Sequence, residues 1–377
     1  MKAQFSLYDL LIIIGILQGI IISFLLFVSK KNGRSNKFLA LALLSFCFLS
    51  TKVLLHTLHL WDIAVFRFFP NAIELALAPL VYFYITSLVN PEFRFKRRNC
   101  LHFIPFFISQ TYAFFVYFTI FNSSDFAEKD RIASSLLFDQ IKQLDEFLLL
   151  ISITVYLFYG HKELKKYKKW LIDTTSDGTF PDFSWLQHIF GLFIIIGFFS
   201  FINHSLDLFF HLKNTTSLHW DLLMLFITFI IYYLGFKGYL QPDYDFSRRT
   251  VLTNDNSTTI VSDEKSTEII ERLKKVMETD KAYLNPKLTI YELSNLLKTS
   301  ERSLSQIINQ HFKISFRDFI NTYRLEEVKL KLNDVSFKNM SILGIALECG
   351  FNSEASFYRV FKKYTGLSPK EFIKKSQ

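Results

Sequence analysis

The sequence is poor in the residues that interrupt helices or cross-link small domains. Its 377 residues include only 3 Cys, 8 Pro and 12 Gly. Cys47, Cys100 and Cys349 are too few and too scattered for a disulfide scaffold or a cysteine-based zinc site. The first 264 residues also contain no P-loop, dinucleotide-type glycine pattern, H-E-x-x-H or G-x-S-x-G motif. We therefore expect neither an enzyme nor a bound cofactor.

Apolar and basic residues, by contrast, are abundant and unevenly distributed. Half of the residues are hydrophobic, 44 are Phe, and the formal net charge is +9. Residues 1–264 contain 36 of these Phe, whereas residues 265–377 contain 20 basic and 13 acidic residues, a net +7. The composition predicts an apolar front part and a basic back part.

The front part contains seven apolar stretches of about the length that crosses a hydrocarbon core. They lie at 7–29, 38–60, 66–89, 101–121, 144–160, 185–210 and 219–240. Seven core helices of a soluble protein would need amphipathic partners, which this region lacks. A cleaved signal peptide does not fit, because the first stretch is too long and a basic cluster follows it directly. We predict a polytopic bundle of seven transmembrane helices.

The connections between these stretches alternate in their content of Lys and Arg. In chain order they carry 4, 1, 4, 3, 5 and 1 such residues, where the single residue of the second connection is Arg67, near the start of the third stretch. Because Lys and Arg accumulate in cytoplasmic loops, this alternation predicts an outside N-terminus and a cytoplasmic C-terminus. The expected location is the cell (inner, cytoplasmic) membrane.

Polar residues inside the predicted spans are candidates for sensing a signal, because they are costly to bury in lipid. The candidates are Lys52, Glu74, His204 and Asp207, of which Lys52, Glu74 and Asp207 lie deeper. A cavity open to the outside that collects them would bind a polar ligand. Alternatively, an ion pair of Lys52 with Glu74 or Asp207 only holds the bundle together. Other polar residues at span ends simply meet water.

Three of the polar residues near the end of the sixth stretch have side chains that also suit a divalent metal. His204, Asp207 and His211 are spaced i, i+3 and i+7 and therefore share one helix face. We nevertheless predict no metal site, and the metal content of purified protein tests this expectation.

The back part contains two helix-turn-helix patterns about fifty residues apart. In the first, Thr289 and Glu292 form a capping-box pair. The inward face of that helix is predicted to consist of Ile290, Leu293, Leu296 and Leu297. In the second, Gly350 forms the turn, Phe351 fills the angle between the helices, and Phe357 and Phe361 face the core. A longer helix around 316–332 joins the two units.

These residues carry a resemblance to the C-terminal DNA-binding domain of AraC/XylS-family transcription regulators. The most specific matching stretches are Ile345-Ala346-x-x-x-Gly350-Phe351-Asn352-Ser353 and Phe357-x-x-x-Phe361-Lys362-Lys363-Tyr364-x-Gly366-x-Ser368-Pro369. The similarity covers about 265–377. Gln306, Val328 and Ile373 depart from residues common in the family. The front part resembles the multi-helix membrane domains that some bacterial regulators join to such a domain.

The resemblance implies that two recognition helices enter successive segments of the DNA major groove. The implied contact residues are Arg302, Ser305 and Gln306 in the first unit and Glu354, Ala355, Ser356, Tyr358 and Arg359 in the second. Arg302 and Arg359 would bind guanine and Gln306 adenine. Lys362 and Lys363 would contact phosphates.

Taken together, the sequence predicts an all-α, membrane-integral one-component transcription regulator. Its domains are a seven-helix membrane domain (1–240), a cytoplasmic linker (241–264) and an AraC-type DNA-binding domain (265–377). Its expected partners are promoter DNA, the lipid bilayer, RNA polymerase, an unknown ligand or membrane signal, and a second copy of the chain. The alternatives are a membrane transporter or enzyme with a regulatory DNA-binding tail, and a bundle that serves only as an anchor.

Overall fold

The described part of the chain is helical. A computed structural model describes residues 6–29, 33–90, 93–176, 183, 185–210, 218–241 and 263–376. Within these ranges the only pairing of extended backbone is one isolated antiparallel bridge, so the predicted all-α class is confirmed. The α-helices are α1 (Leu7–Val28), α2 (Gly33–Thr57), α3 (Glu74–Val89), α4 (Ile104–Ile120), α5 (Phe126–Ser135), α6 (Phe138–Thr174), α7 (Trp185–Phe210), α8 (Leu218–Tyr239), α9 (Asp263–Glu278), α10 (Ile290–Leu296), α11 (Glu301–Ile307), α12 (Phe316–Asn333), α13 (Ile342–Glu348), α14 (Glu354–Thr365) and α15 (Pro369–Ser376).

The chain divides into two compact units. The apolar unit contains residues 1–165 and 183–243, and the C-terminal unit contains residues 166–182 and 244–377. The end of α6 therefore belongs to the C-terminal unit, although it is far from that unit's other residues in sequence. Most of the predicted linker, from Pro242 to Ser262, lies outside the described residues.

In the apolar unit, five helical segments are long and apolar enough to cross a membrane. They are Leu7–Val28, Gly33–Thr57, Arg97–Ile120, Trp185–Phe210 and Leu218–Tyr239. The predicted number of seven is thus not confirmed. Segment 66–89 becomes helical only at Glu74, because Pro70 and the left-handed Phe68 (φ 56°) precede it. Segment 144–160 lies inside the 37-residue helix α6, where charged residues flank it on both sides.

Small residues allow the helices of the apolar unit to pack closely. Helix α1 packs on α2 and α8 through Gly15 and Gly19, which share one face at i, i+4 spacing. A Cβ atom on Gly15 would overlap Thr228, and one on Gly19 would overlap Cys47. The opposite faces of the helices expose large apolar side chains, among them Phe24 and Phe198.

The C-terminal unit has two hydrophobic cores that share one helix. The first core contains Phe316, Phe319 and Ile320 of α12 together with residues of α9, α10 and α11. The second contains Leu325 and Val328 of α12 together with residues of α13 and α14. Helix α12 therefore holds the two helix-turn-helix units in one body, as the sequence predicted for a joining helix at 316–332.

Candidate nucleic-acid interface

The first helix-turn-helix unit consists of α10 and α11. Thr289 caps α10, and Glu292 bonds back to the Thr289 amide, so the predicted capping box is confirmed. The turn passes through the left-handed Lys298 (φ 51°), and the Ser300 hydroxyl then caps α11. Leu293 and Leu297 are buried as predicted. Leu296 is 60% exposed, so its predicted inward position was wrong. It lies outside the buried apolar face of the helix, which includes the i, i+4 pair Leu293 and Leu297.

The second unit consists of α13 and α14 and follows the predicted pattern closely. Gly350 turns the chain in the left-handed region (φ 92°), where a side chain is strained. Phe351 is buried between the helices, and its ring lies 5.3 Å from that of Phe357. Phe357 and Phe361 are both fully buried, which confirms their predicted core positions. Ser353 caps α14 through a hydrogen bond from the Ser356 amide.

On α11, the predicted DNA-contact residues form one face. Arg302 is exposed, and Ser305 and Gln306 are half-buried. Asn309 donates to the Ser305 hydroxyl at 3.3 Å, and Gln306 donates to the Gln310 carbonyl at 3.4 Å. Asn309 and Gln310 extend this polar face by one turn. They are absent from the predicted set, although their i+4 spacing from Ser305 and Gln306 is visible in the sequence.

On α14, most of the predicted DNA-contact residues are exposed or half-buried, and one of them is buried. Glu354, Ala355, Arg359, Lys362 and Lys363 are exposed, and Tyr358 is half-buried. Ser356 is buried, with 8% of its surface exposed, so its predicted outward position was wrong. It follows the N-cap Ser353 at the third helical position, which brings it beside Phe357 and Val360 on the core side of the helix.

The two lysines near the end of α14 differ in their surroundings. Lys363 forms an ion pair with Asp318 of α12, with 2.7 Å between Nζ and Oδ1. This hydrogen bond raises the pKa of Lys363 above its ordinary value. Lys363 is therefore held by an ion pair within the C-terminal unit.

A carboxyl group at the start of α11 has a perturbed pKa. Glu301 is the first residue of α11 and immediately precedes the exposed Arg302. Burial raises the pKa of Glu301 to about 7, because its charged form is poorly solvated there. The charge at this end of α11 therefore changes near neutral pH.

Arg324 of α12 is a structural residue that sequence reasoning missed. It is fully buried, and it donates to the carbonyl oxygens of Tyr283 and Asn285, each at 2.7 Å. A Cβ atom on Gly350 would lie 2.9 Å from Arg324 Nε, so the turn of the second unit packs directly against this guanidinium group. Nothing in the hydrophobic pattern distinguishes this position from a surface arginine.

In the apolar unit, two of the four predicted sensing residues form an ion pair. Lys52 Nζ lies 2.9 Å from Glu74 Oε1. Lys142 of α6 extends the pair: it lies 4.0 Å from Glu74 and 3.4 Å from Asp145. Ser109 donates to the same Asp145 carboxylate. These side chains form a polar cluster on four segments of an otherwise apolar unit.

The other two predicted sensing residues lie in separate contacts. His204 faces Glu146 of α6 at 3.3 Å. Asp207 accepts a hydrogen bond from the Trp220 ring at 2.8 Å and lies 3.0 Å from His219 Nε2. The structure thus pairs Lys52 with Glu74, and it gives Asp207 different partners. No group of three or more metal-ligating side chains occurs among the described residues, and His211 lies outside them.

A known protein family matches the C-terminal part of the chain. Residues 293–375 match the family described as helix-turn-helix domain. An uncharacterized HTH-type transcriptional regulator of Staphylococcus aureus (strain MSSA476) is 33% identical over 102 residues, which are 27% of this chain and 13% of that protein. The melibiose operon regulatory protein of Escherichia coli (strain K12) is 33% identical over 90 residues, 24% of this chain and 29% of that protein. No solved structure matches the chain.

Sequence similarity and geometry agree on this part of the molecule. The matched range includes most of α10 and all of α11–α14, together with most of α15, and therefore the second helix of each helix-turn-helix unit. The chain carries a helix-turn-helix domain of the AraC type at its C-terminus. The matched segments span only 13% and 29% of the length of these two relatives.

Proposed function

We propose that this protein is a membrane-integral transcription regulator that binds promoter DNA through both helix-turn-helix units. One observation carries the proposal. Helix α12 contributes to both cores and so fixes α11 and α14 in one body, each with an exposed polar face. Two such helices on one rigid support suit a double contact with the DNA major groove.

The apolar unit supports the membrane part of the proposal. Five of its segments have the length and composition of membrane spans, and α7 exposes Ile194, Phe198 and Phe201 on one side. In water these side chains would form a large apolar patch, whereas lipid accommodates them. The Lys and Arg content of the connections favours a multi-pass protein of the cell membrane with a cytoplasmic C-terminal unit.

The proposed DNA contacts combine base recognition with charge neutralisation. Arg302 and Arg359 are exposed on the two recognition helices, and each has the planar donor group that binds guanine in the major groove. Gln306 is proposed to contact adenine, and the two lysines of α14 to contact phosphates. RNA polymerase and a second copy of the chain are further proposed partners at a promoter.

A binding experiment on the full chain in lipid nanodiscs tests the DNA contacts. Arg359→Ala removes a proposed guanine contact, so we expect a loss of about 1–3 kcal/mol on promoter DNA and a smaller loss on random DNA. Lys362→Ala is the matched control, because it removes a positive charge from the same helix without removing a base contact. We expect it to weaken binding about equally on both DNAs. Equal losses on both DNAs for Arg359→Ala would contradict the base contact.

The polar cluster around Glu74 is proposed to sense the signal, with His204 and Asp207 as further candidates. Glu74 accepts from Lys52 and faces Lys142, so a polar ligand or a proton that competes for any of these charges would change how α2, α3 and α6 are held together. A ligand can shift the regulator only if it binds its two states differently.

A reporter gene tests this role. We expect Glu74→Gln to alter the response of the reporter while the protein remains inserted in the membrane. Glu128→Gln, on the exposed helix α5, is the matched control and is expected to leave the response unchanged. A normal response in Glu74→Gln would exclude the cluster as the sensing site.

A further inference from the structure

The C-terminal unit contains a segment that is distant in sequence from the rest of that unit. The last turn of α6 and the two residues after it, 171–176, pack against α12 and against the residues that lead into α10. Leu171, Thr175 and Ser176 are all buried there. We call these six residues the α6 dock.

Arg317 of α12 holds the dock at the end of the helix. Its Nη2 atom donates to the Leu171 carbonyl oxygen and to the Thr175 hydroxyl, both at 3.1 Å, and its Nε atom donates to the Thr175 carbonyl at 3.3 Å. The Leu171 carbonyl also accepts from the Thr175 amide at 3.2 Å and from the Thr175 hydroxyl at 2.6 Å, and the carbonyl end of a helix carries partial negative charge. A guanidinium group therefore suits this helix end in both hydrogen bonding and charge.

Ser176 connects the dock to the first helix-turn-helix unit. Its amide and its hydroxyl both donate to the Leu288 carbonyl oxygen, at 3.2 and 2.7 Å. Thr175 forms an antiparallel bridge with Thr289, the residue that caps α10. The dock thus fixes the backbone at the point where the first helix of the unit begins.

Ser176 also reaches the buried guanidinium group of Arg324. Arg324 Nη2 donates to the Ser176 hydroxyl at 3.2 Å, in addition to the carbonyls of Tyr283 and Asn285. A buried charge is costly unless it is fully hydrogen-bonded, and Ser176 supplies one of the acceptors. Because the turn at Gly350 packs on the same group, the dock lies where the two helix-turn-helix units are held together.

The dock is the end of an uninterrupted helix. Helix α6 runs from Phe138 to Thr174 and contains the predicted fifth span, 144–160, in its first part. Its residues up to Lys165 belong to the apolar unit, and its residues from Lys166 belong to the C-terminal unit. Lys142 of the polar cluster lies near its beginning, and the dock lies at its other end.

We propose that the α6 dock is the coupling element through which the membrane part of the chain controls DNA binding. Movement of α6 shifts Thr175 and Ser176. This shift changes their contacts with Arg324 and with the residues before α10, and it thereby changes the orientation of α11 relative to α14. The proposal rests on the proposed function, since it assumes a membrane span in α6 and DNA binding by α11 and α14. The opposing hypothesis is that the segment only anchors the domain.

Insertions in α6 between Lys165 and Lys166, whose side chains are exposed, test the coupling in the full chain in cells. One inserted Ala rotates the two ends of the helix by about 100° relative to one another, whereas seven inserted residues restore the phase to within about 20°. The readout is a reporter at a promoter that the wild-type protein occupies. We expect one Ala to change the output at least about fivefold and the seven-residue insertion to change it much less. Equal output from wild type and both insertions would overturn the proposal.

A second pair of variants tests the dock itself. Arg317→Ala removes three hydrogen bonds to the dock, and we expect hydrogen exchange at the Ser176 amide to become about tenfold faster or more, together with altered reporter output. Arg272→Ala is the matched control, because Arg272 also donates to a backbone carbonyl of this unit, that of Leu297, away from the dock. Faster exchange without any change in output would leave the dock as an anchor and refute the coupling.

Arg359→Ala separates this inference from the proposed function. If Arg359→Ala abolishes output while the insertions and Arg317→Ala behave as wild type, only the coupling fails. If Arg359→Ala has no effect on output or DNA binding, the proposed function itself fails.

Discussion

Replacing Gly350 by Ala tests whether the turn of the second helix-turn-helix unit must lie against Arg324. Gly350 has a φ of 92°, which an Ala residue adopts only with strain. Its Cβ would lie 2.6 Å from the Tyr283 carbonyl oxygen and 2.9 Å from Arg324 Nε. The turn and the Tyr283 carbonyl cannot both keep their positions in the variant.

Two contributions determine the expected loss in the free energy of unfolding of the C-terminal unit. The left-handed conformation costs about 1–2 kcal/mol for a residue with a side chain. Displacing the Tyr283 carbonyl weakens a 2.7 Å hydrogen bond to a charged donor, which is worth about 1.5–3 kcal/mol. We therefore expect Gly350→Ala to destabilise the C-terminal unit by about 3–5 kcal/mol, a large part of the stability of an ordinary domain.

Gly366→Ala is the matched control. Gly366 ends α14, also in the left-handed region (φ 73°), but a Cβ atom there meets nothing within 4 Å. We expect only the strain, about 1–2 kcal/mol. Hydrogen exchange on the full chain in detergent micelles, followed at peptides from α12 and α14, measures both variants. Equal protection losses in the two variants would refute the argument that Arg324 and the turn depend on one another.

Three further predictions concern charge and packing. Lowering the pH from about 8 to 6 protonates Glu301, whose pKa is about 7 in the folded protein against 4.5 ordinarily. Titrations of binding and unfolding should then show a higher DNA affinity, and a stability of the unit that increases from about pH 7 down to 4.5. Glu301→Gln should remove both effects. Lys362→Ala should reduce the salt dependence of DNA binding by about one counterion, and Lys363→Ala by less, because Lys363 is already ion-paired; equal slopes would contradict this. Gly19→Leu should lower the thermal stability of the purified protein in detergent, whereas Gly197→Leu, at a site with open space, should not.

The helix-turn-helix units were predictable because local signals set them. The cap at Thr289, the turn at Gly350 and the burial of Phe357 and Phe361 all follow from residue type and spacing, and the structure has each of them. The errors at Leu296 and Ser356 have a common origin. Each lies at the edge of an apolar stripe, where a shift of one residue along a helix decides between core and surface.

The membrane part was less predictable, because hydropathy alone does not reveal where a helix begins or which segment it joins. Pro70 delays α3, and α6 continues well beyond its apolar stretch. The contacts of Arg317 and Arg324 with the dock connect residues more than 140 positions apart, which a single sequence does not indicate. For the same reason, the sequence left open whether Lys52 pairs with Glu74 or with Asp207. It also did not indicate that Lys142 lies beside Glu74.

The central claim, a DNA-binding domain carried by a membrane protein, is tested most directly by mapping the DNA bound to the tagged protein in isolated membranes. Cells are crosslinked, membranes are purified, and the DNA retained with the protein is sequenced, for the wild type and for the double variant Arg302→Ala and Arg359→Ala. We predict enrichment of discrete promoter segments in the membrane fraction of the wild type and loss of that enrichment in the double variant. Recovery of the protein in the soluble fraction, or membranes that retain no specific DNA, would contradict the account.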